Sequence, residues 1–166
     1  MNTSGLRWAL DDPVRGHMVF VGCSRRKSET SKPIPALDLY QGGCVPPLRD
    51  RLGKDLRLRS RIRILSAEYG LLRADTPLLP YDRPLDDERA EELRPHVGAM
   101  LRAEFARDGV PRAVLVMADP LYLGLIDELT SRKDLRPDVT VFPNHQTAWP
   151  DAAAVLDTWG WGAEQH

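Results

Sequence analysis

Cysteine is scarce in this sequence, and nothing in its placement indicates a disulfide bond or a metal site. Cys23 and Cys44 are the only two among 166 residues, and there is no CxxC pair and no pair of histidines at ligand spacing. The sequence therefore argues against a disulfide framework and against structural zinc. We expect no metal, no cofactor and a reducing, cytoplasmic environment.

Apolar runs of membrane length are also absent, and so is a strong net charge of either sign. The N-terminus lacks the basic-then-apolar pattern of a signal peptide, and no membrane partner is expected. The formal net charge of -1 gives no overall basic field that would attract nucleic acid. Positive charge is nevertheless concentrated at residues 25–32 and 49–63, so local binding of an anion stays open.

What is present is the composition of an ordinary folded domain. A chain of 166 residues, 42% hydrophobic and 28% charged, can bury one real core and is too short for two ordinary domains. Residues 1–16 mix Gly, Asp, Pro and Arg around Trp8 and predict a loosely attached arm that could dock this Trp. Residues 17–166 are then expected to form a single domain.

Four short apolar runs predict buried strands at residues 18–21, 62–65, 113–117 and 139–142. Segments with the apolar spacing of helices alternate with them. Strands that alternate with helices indicate βαβ units, so we predict the α/β class, with one three-layer domain around a mainly parallel central sheet. The helices are predicted at residues 36–40, from 46 onward, at 86–107, from 119 to 129 and at 151–157.

Apolar spacing also predicts the buried side of each helix. Leu48, Leu52 and Leu56 form one stripe, and the Arg and Lys residues around them are interpreted as solvated charge. Pro95 is expected to kink or divide the 86–107 helix. The core residues expected in the later helices are Leu93, Val97, Met100, Leu101, Phe105, Leu121, Leu125, Ile126 and Leu129.

The carboxyl ends of parallel strands meet at one edge of a sheet, which is where open α/β proteins hold ligands. The stretch 62–85 supplies one wall of such a site, because Pro80 and Pro84 stiffen the backbone that carries Tyr81 and Asp82. The sequence therefore predicts a small-molecule site at this edge. The residues that the predicted strand ends bring together are Ser24, Ser66, Glu68, Tyr69, Asp119, Asn144 and His145.

The loop after the first strand has the composition of an anion site. Cys23 and Ser24 are followed by Arg25, Arg26 and Lys27, and exposed amides with cations are what a phosphate or carboxylate requires. The alternative is a solvated basic loop, and the glycines and GK[ST] ending of a Walker sequence are missing. The cations would favour a nucleophilic Cys23 thiolate, although a small buried cysteine is the simpler interpretation.

Three carboxylates are candidates for acid–base chemistry, and each has a structural alternative. For Glu68 the alternative is an ion pair with an arginine, for Asp82 a turn-stabilising hydrogen bond, and for Asp119 an N-cap. Cleavage of an N-glycosidic bond needs one carboxylate near the developing oxocarbenium ion and a group that protonates or stabilises the departing base. A pair drawn from these three could supply both roles.

The aromatic and imidazole side chains near this edge also allow two interpretations. Tyrosine rings stack on planar bases and offer a hydroxyl, but they are also ordinary packing residues. His145 could be an acid–base group or a hydrogen-bonded histidine at the surface. All four tyrosines of the chain lie in segments expected near the site, namely Tyr40, Tyr69, Tyr81 and Tyr122.

Four motifs follow one another in the first half of the chain. They are Cys23-Ser24-x-x-Lys27, Ala36-x-x-Leu39-Tyr40, Leu65-Ser66-Ala67-x-Tyr69-Gly70-Leu71-Leu72 and Pro80-Tyr81-Asp82-x-x-Leu85. In this order they resemble a family of small bacterial and archaeal proteins, the DUF6884 family. The resemblance covers about residues 19 to 85, and past Leu85 only a general α/β pattern is left. That family is in turn similar to uracil-DNA-glycosylase-like and YaaA-like α/β proteins.

The resemblance has consequences for the site. Glu68 falls where the family pattern is open, which favours Asp82 as the essential carboxylate. The water-activating and histidine-bearing loops of the glycosylases have no evident counterpart, so activity on DNA is not implied. The residues that the resemblance places around the pocket are Ser24, Lys27, Tyr40, Ser66, Tyr69, Tyr81 and Asp82.

The function favoured by these observations is hydrolysis or transfer at the N-glycosidic bond of a nucleotide or nucleoside. The expected partner is a small anionic substrate, a nucleotide, and the oligomeric state stays open, a homo-oligomer included. The alternatives are a non-catalytic nucleic-acid-binding or stress-response protein that uses the basic 49–63 helix, and chemistry based on Cys23. Catalytic candidates are Asp82, Glu68 and Asp119, and substrate-binding candidates are Cys23, Ser24, Arg25, Lys27, Tyr40, Ser66, Tyr69, Gly70, Tyr81, Tyr122 and Asn144.

Overall fold

The four predicted strands are all present, and their bounds differ by at most one residue from those predicted. The computed structural model describes residues 14–131 and 137–162, so the expected position of Trp8 lies outside the described residues. The strands of the described part are β1 (His17–Gly22), β2 (Ile34–Pro35), β3 (Ile62–Ser66), β4 (Gly70–Arg73), β5 (Pro77–Leu78), β6 (Ala113–Met117) and β7 (Asp138–Phe142).

Five of these strands form the central sheet, in the order β4-β3-β1-β6-β7. Strands β3, β1, β6 and β7 run parallel, and β4 returns antiparallel to β3 at the edge. Strands β2 and β5 form a separate two-stranded antiparallel ribbon. The mainly parallel sheet is confirmed, and β1, β3 and β6 are buried along nearly their whole length because both faces of the sheet are covered there.

Helices cover the two faces of the sheet and complete the predicted three layers. One core lies between the sheet and α1 (Ala36–Leu39), α2 (Val45–Leu52), α3 (Leu56–Arg59) and α7 (Trp149–Trp159). The other core lies between the opposite face and α4 (Asp87–Asp108), α5 (Pro120–Leu125) and α6 (Asp127–Ser131). No helix in the described ranges has both the length and the apolar character that crossing a bilayer requires.

The order of the strands places a crevice at the carboxyl ends of β1 and β6. The chain leaves β1 towards β3 along the face that carries α1 to α3, and it leaves β6 towards β7 along the face that carries α5 and α6. The loops after two neighbouring strands therefore diverge to opposite faces. Such a topological switch point is the usual ligand site of an open α/β sheet.

Two predictions about the basic segment 49–63 are wrong. Helix α2 ends at Leu52, with Gly53 as its C-cap, and the short helix α3 begins after the N-cap Asp55. Leu56 is 78% exposed and does not continue the predicted buried stripe. Most arginines of the segment are not solvated charge, because they hold carbonyls and carboxylates of neighbouring elements. Those with such bonds are Arg49, Arg51, Arg59, Arg61 and Arg63.

The later helices differ from prediction in three respects. Helix α4 runs past Pro95 undivided, so of the two predicted effects of this proline the division is not found. Pro95 lies exposed on the solvent side, where water can bond the carbonyl that loses its amide partner. Met100 and Leu121 are 36% and 38% exposed rather than in the core. The predicted 119–129 helix divides into α5 and α6, because the chain leaves helical geometry at Ile126.

Candidate functional site

A cleft of about 700 Å³ opens at the crevice between β1 and β6. Its walls come from the loop after β1, from the turn that precedes α2, from the segment after β5 and from the loops after β6 and β7. This is the edge of the sheet where the sequence predicts a site. The residues around it are Cys23, Ser24, Arg25, Arg26, Lys27, Gln41, Gly42, Asp82, Arg83, Pro84, Leu85, Asp119, Tyr122, His145 and Gln146.

A thiol and a phenol meet across the crevice. Cys23 follows β1 and is 9% exposed, and its Sγ donates to the hydroxyl of Tyr122 on α5 at 3.3 Å. Burial raises the pKa of Tyr122, and the neighbouring Cys23 acts in the same direction, so this hydroxyl stays protonated and neutral. The contact joins two elements that pack on opposite faces of the sheet.

The loop after β1 is held in place by the chain before α2, which makes it a structured wall. The Ser24 hydroxyl donates to the carbonyl of Arg26 at 2.7 Å and accepts the amide of Gly42 at 3.0 Å. Lys27 and Tyr40 form an antiparallel bridge beside these bonds. The interpretation as a loose, solvated basic loop therefore does not fit, because side-chain and main-chain bonds define its path.

This wall presents three cations. Arg25 and Arg26 are exposed and form no ion pair or side-chain hydrogen bond within the described part of the chain. Lys27 is half-buried, and its Nζ lies 4.4 Å from the centre of the Tyr81 ring. Burial lowers the pKa of Lys27, while the nearby Cys23 and Asp82 act in the opposite direction. The two arginines are thus available to an anion in the cleft.

A chain of buried hydroxyls supports the wall from below. Ser66, at the end of β3, accepts the amides of Glu68 and Tyr69 at 3.2 and 3.1 Å. These bonds fill its acceptor sites and direct its own hydrogen to the Tyr81 hydroxyl at 2.7 Å, which in turn bonds Tyr40 at 2.6 Å. Burial raises the pKa of both Tyr40 and Tyr81, so the chain stays neutral.

Asp82 belongs to the motif Pro80-Tyr81-Asp82 and lines the cleft. It is exposed and forms no hydrogen bond or ion pair within residues 14–131 and 137–162, so the turn-stabilising alternative is not found. A second hollow of about 570 Å³ adjoins it and shares Arg25, Lys27 and Asp82 with the cleft. The Asp82 carboxylate is therefore available to a ligand from two sides.

Asp119 and His145 form a second polar group in the cleft. Asp119 occupies the N-cap position of α5, but its Oδ1 accepts the amide of His145 at 3.1 Å and its side chain caps nothing. His145 is only 3% exposed, so the alternative of a histidine at the surface is wrong. Its Nε2 accepts a hydrogen bond from the amide of Cys44 at 3.2 Å. That bond leaves Nδ1 to carry the proton of the neutral ring.

Burial determines the protonation states of His145 and of the neighbouring Cys44. It lowers the pKa of His145 more than the nearby Asp119 carboxylate raises it, so the imidazole is neutral near pH 7. Burial also raises the pKa of Cys44 to about 11, and its Sγ donates to the carbonyl of His145 at 3.1 Å. Cys44 is thus a structural thiol that helps to fix the histidine loop.

Comparison with known proteins places the chain in a family. The model of a family of unknown function, DUF6884, matches residues 18–141. The chain belongs to the DUF6884 family. This match reaches beyond Leu85, where the resemblance of the sequence motifs ended, and includes β6 and most of β7. No curated protein and no solved structure matches the chain.

With the DUF6884 motifs placed on the structure, seven of the predicted site residues line the cleft. Three more lie beneath it in the hydroxyl chain: Tyr40, Ser66 and Tyr81. Across the described ranges, no three His, Cys, Asp or Glu side chains are grouped to hold a metal ion. The seven that line the cleft are Cys23, Ser24, Arg25, Lys27, Asp82, Asp119 and Tyr122.

The remaining four predicted site residues lie outside both the cleft lining and the hydroxyl chain. Glu68 pairs with Arg83 at 3.5 Å, as its structural alternative proposed. Tyr69 is 41% exposed and packs edge-on against Tyr81. Gly70 has a φ of 82° and begins β4, where an added Cβ would lie 3.0 Å from a methyl of Val97. Asn144 is exposed, and its side chain bonds the amide of Gln146.

Several residues of the cleft are not among the predicted site residues. Arg26 belongs to the predicted cationic loop, and His145 follows the last predicted strand, so both have a signal in the sequence. Gln41 and Gly42 had only the glycine pair as a signal, because they reach the cleft through long-range pairing with the loop after β1. Arg83 and Gln146 had none.

Proposed function

We propose that this protein binds a nucleotide in the cleft and cleaves the bond between its base and its sugar, by hydrolysis or by transfer. The observation that carries the proposal is the presence, in one cleft, of the unpaired cations Arg25 and Arg26 and of the unpaired carboxylate of Asp82. The phosphate of a nucleotide is an anion that the two arginines can bind. Its sugar carbon develops positive charge when the bond to the base breaks, and the Asp82 carboxylate can stabilise that charge.

In the hydrolytic form of the reaction, Arg25 and Arg26 hold the phosphate. The C1′–N bond breaks, its electron pair leaves with the base, and positive charge develops on the sugar. Asp82 stabilises that charge and accepts a proton from the water that attacks C1′. In a transfer reaction an acceptor hydroxyl takes the place of water.

The departing base needs a hydrogen-bond donor, and His145 is the side chain best suited to supply one. Its ring is neutral, and its Nε2 is occupied by the Cys44 amide, so Nδ1–H is its donor. Such a donor stabilises the negative charge that develops on the base as it leaves. Tyr122 offers a further neutral hydroxyl at the floor of the cleft.

The nucleic-acid alternative has less support. It requires a basic face on residues 49–63, yet Arg49, Arg51, Arg59 and Arg63 are used within the fold. Kinship with uracil-DNA-glycosylase-like and YaaA-like proteins stays a prediction. Nucleotides rather than nucleic acid are therefore the first substrates to test.

The test is chromatographic detection of free base from a panel of nucleoside 5′-monophosphates and the corresponding nucleosides. We expect release from at least one monophosphate and slower release from its nucleoside. Arg25→Gln should raise KM for the monophosphate about 10- to 150-fold, because a charge-assisted contact contributes about 1.5–3 kcal/mol. Arg94→Gln, which replaces an exposed arginine on α4, is the matched control. A folded protein that releases no base from any compound would refute the proposal.

A further inference from the structure

The hollow that adjoins the cleft at Asp82 has no part in the reaction described above. It encloses about 570 Å³, which lies within the range of about 300–1,000 Å³ that small-molecule sites occupy. A water molecule takes up only about 30 Å³, so the attack of water on the sugar leaves this space unused. Arg25, Lys27 and Asp82 line both spaces, whereas Glu29 lines the hollow alone.

The loop that forms one wall of the hollow has a defined path. The amide of Ser28 donates to the carbonyl of Leu39 at 2.7 Å, and the Ser28 hydroxyl donates to the carbonyl of Asp38 at 3.1 Å. The Thr30 hydroxyl donates to the carbonyl of Lys32 at 2.7 Å. Because the first two bonds tie the loop to helix α1, the hollow is part of the folded surface and not a gap beside a loose segment.

Two cations and two carboxylates line the hollow, so its charges balance. Lys27 is held in place, since its Nζ donates to the carbonyl of Arg25 at 3.2 Å and lies 4.4 Å from the centre of the Tyr81 ring. Glu29 and Asp82 are exposed and form no hydrogen bond or ion pair within the described part of the chain. Carboxylates accept hydrogen bonds from hydroxyl groups, and cations donate to hydroxyl oxygens. An uncharged molecule with several hydroxyl groups can use both, whereas an ion would be attracted by one pair and repelled by the other.

We propose that the hollow binds the acceptor of a transfer reaction, an uncharged molecule with several hydroxyl groups such as a sugar; this inference rests on the function proposed for the cleft. The hydroxyl oxygen of the acceptor forms the new bond to C1′ of the nucleotide, and its proton passes to Asp82, which lines both spaces. The C1′–N bond breaks, its electron pair leaves with the base, and the base takes up an equivalent proton from the solvent. Glu29 accepts a hydrogen bond from a second hydroxyl group and so selects the acceptor.

The test is mass spectrometry of the products formed from the monophosphate that releases its base fastest, with D-glucose added as the acceptor. We expect free sugar phosphate and a second product, whose mass is that of sugar phosphate plus glucose minus water. Glu29→Gln should lower the ratio of transferred to hydrolysed product at least about tenfold, because it removes a charge-assisted hydrogen bond to the acceptor. Glu91→Gln, which changes an exposed position of α4 that lines neither space, is the matched control and should keep the wild-type ratio.

D-Glucosamine and D-glucuronate, which carry one positive and one negative charge on the same ring, test the class of acceptor. Both should give less transferred product than glucose, and more product from either would overturn the inference. It is also overturned if base is released but neither glucose nor the smaller probe glycerol gives a transferred product, or if Glu29→Gln keeps the wild-type ratio. In those cases the function proposed for the cleft stands. Absence of base release from every nucleotide refutes that function and this inference with it.

Discussion

Gly43 connects the backbone of the cleft to its histidine, and its replacement by alanine is a direct test of the geometry. The φ of Gly43 is 62°, and a Cβ there would lie 2.1 Å from Cε1 of His145. Positive φ costs an alanine about 1–2 kcal/mol. The ring must also move by more than an ångström and release the Cys44 amide, which leaves a buried donor unpaired at a cost of about 1–3 kcal/mol. The free energy of unfolding of Gly43→Ala is therefore expected to be about 2–5 kcal/mol lower than that of the wild type.

Gly160→Ala is the matched control for this prediction. Gly160 has a φ of 73° and ends α7, but apart from its chain neighbours no atom of the described residues lies within 4 Å of an added Cβ. This variant meets only the backbone cost of about 1–2 kcal/mol. Urea unfolding of both variants measures the difference, which should be at least about 1 kcal/mol, or roughly 2–4 °C in Tm for a chain of this size. Equal destabilisation by both substitutions would refute the position assigned to His145.

Three further predictions concern buried polar groups. Tyr81→Phe should cost about 1–3 kcal/mol in urea unfolding, because it removes the middle of the hydroxyl chain, and Tyr69→Phe should be neutral within about 0.5 kcal/mol. Glu104→Gln should cost about 3–5 kcal/mol, because it leaves the Arg63 charge buried and unpaired, whereas Glu128→Gln at an exposed pair should cost less than about 1 kcal/mol. The lowered pKa of His145 means that the unfolded chain takes up its proton first as the pH falls, so stability should decrease as the pH drops below about 6.5. His145→Gln should show a smaller decrease in unfolding free energy over the same pH range.

The strands could be predicted closely, because a strand buried in a sheet consists largely of apolar residues whatever packs against it, and a single polar residue such as Arg63 in β3 does not hide that pattern. Helix extents were harder, since tertiary packing decides them. At Leu56 the spacing continued a helical stripe, but Asp55 starts a new helix there and turns the side chain outward. Strand β4 has only four residues and begins at Gly70, so it has too little periodic signal to be distinguished from a loop.

The edge of the sheet that holds the cleft could be predicted, because topology alone brings the strand ends together. The orientation of single side chains could not. The sequence offers both Glu68 and Asp82 as candidate carboxylates, and only the fold shows that the first pairs with Arg83 while the second lies in the cleft. His145 shows the same limit, since its burial depends on Gly43 and Cys44, about a hundred residues earlier in the chain.

The central claim is that the Asp82 carboxylate in this cleft acts on the sugar of a bound nucleotide. The most direct measurement is the rate of base release by Asp82→Asn at saturating substrate, beside Asp50→Asn, which makes the same change at an exposed position of α2. We predict a fall in kcat of about 10²- to 10⁴-fold for the first variant, with its folding intact, and no change for the second. An Asp82→Asn protein that releases base at the wild-type rate would contradict the account.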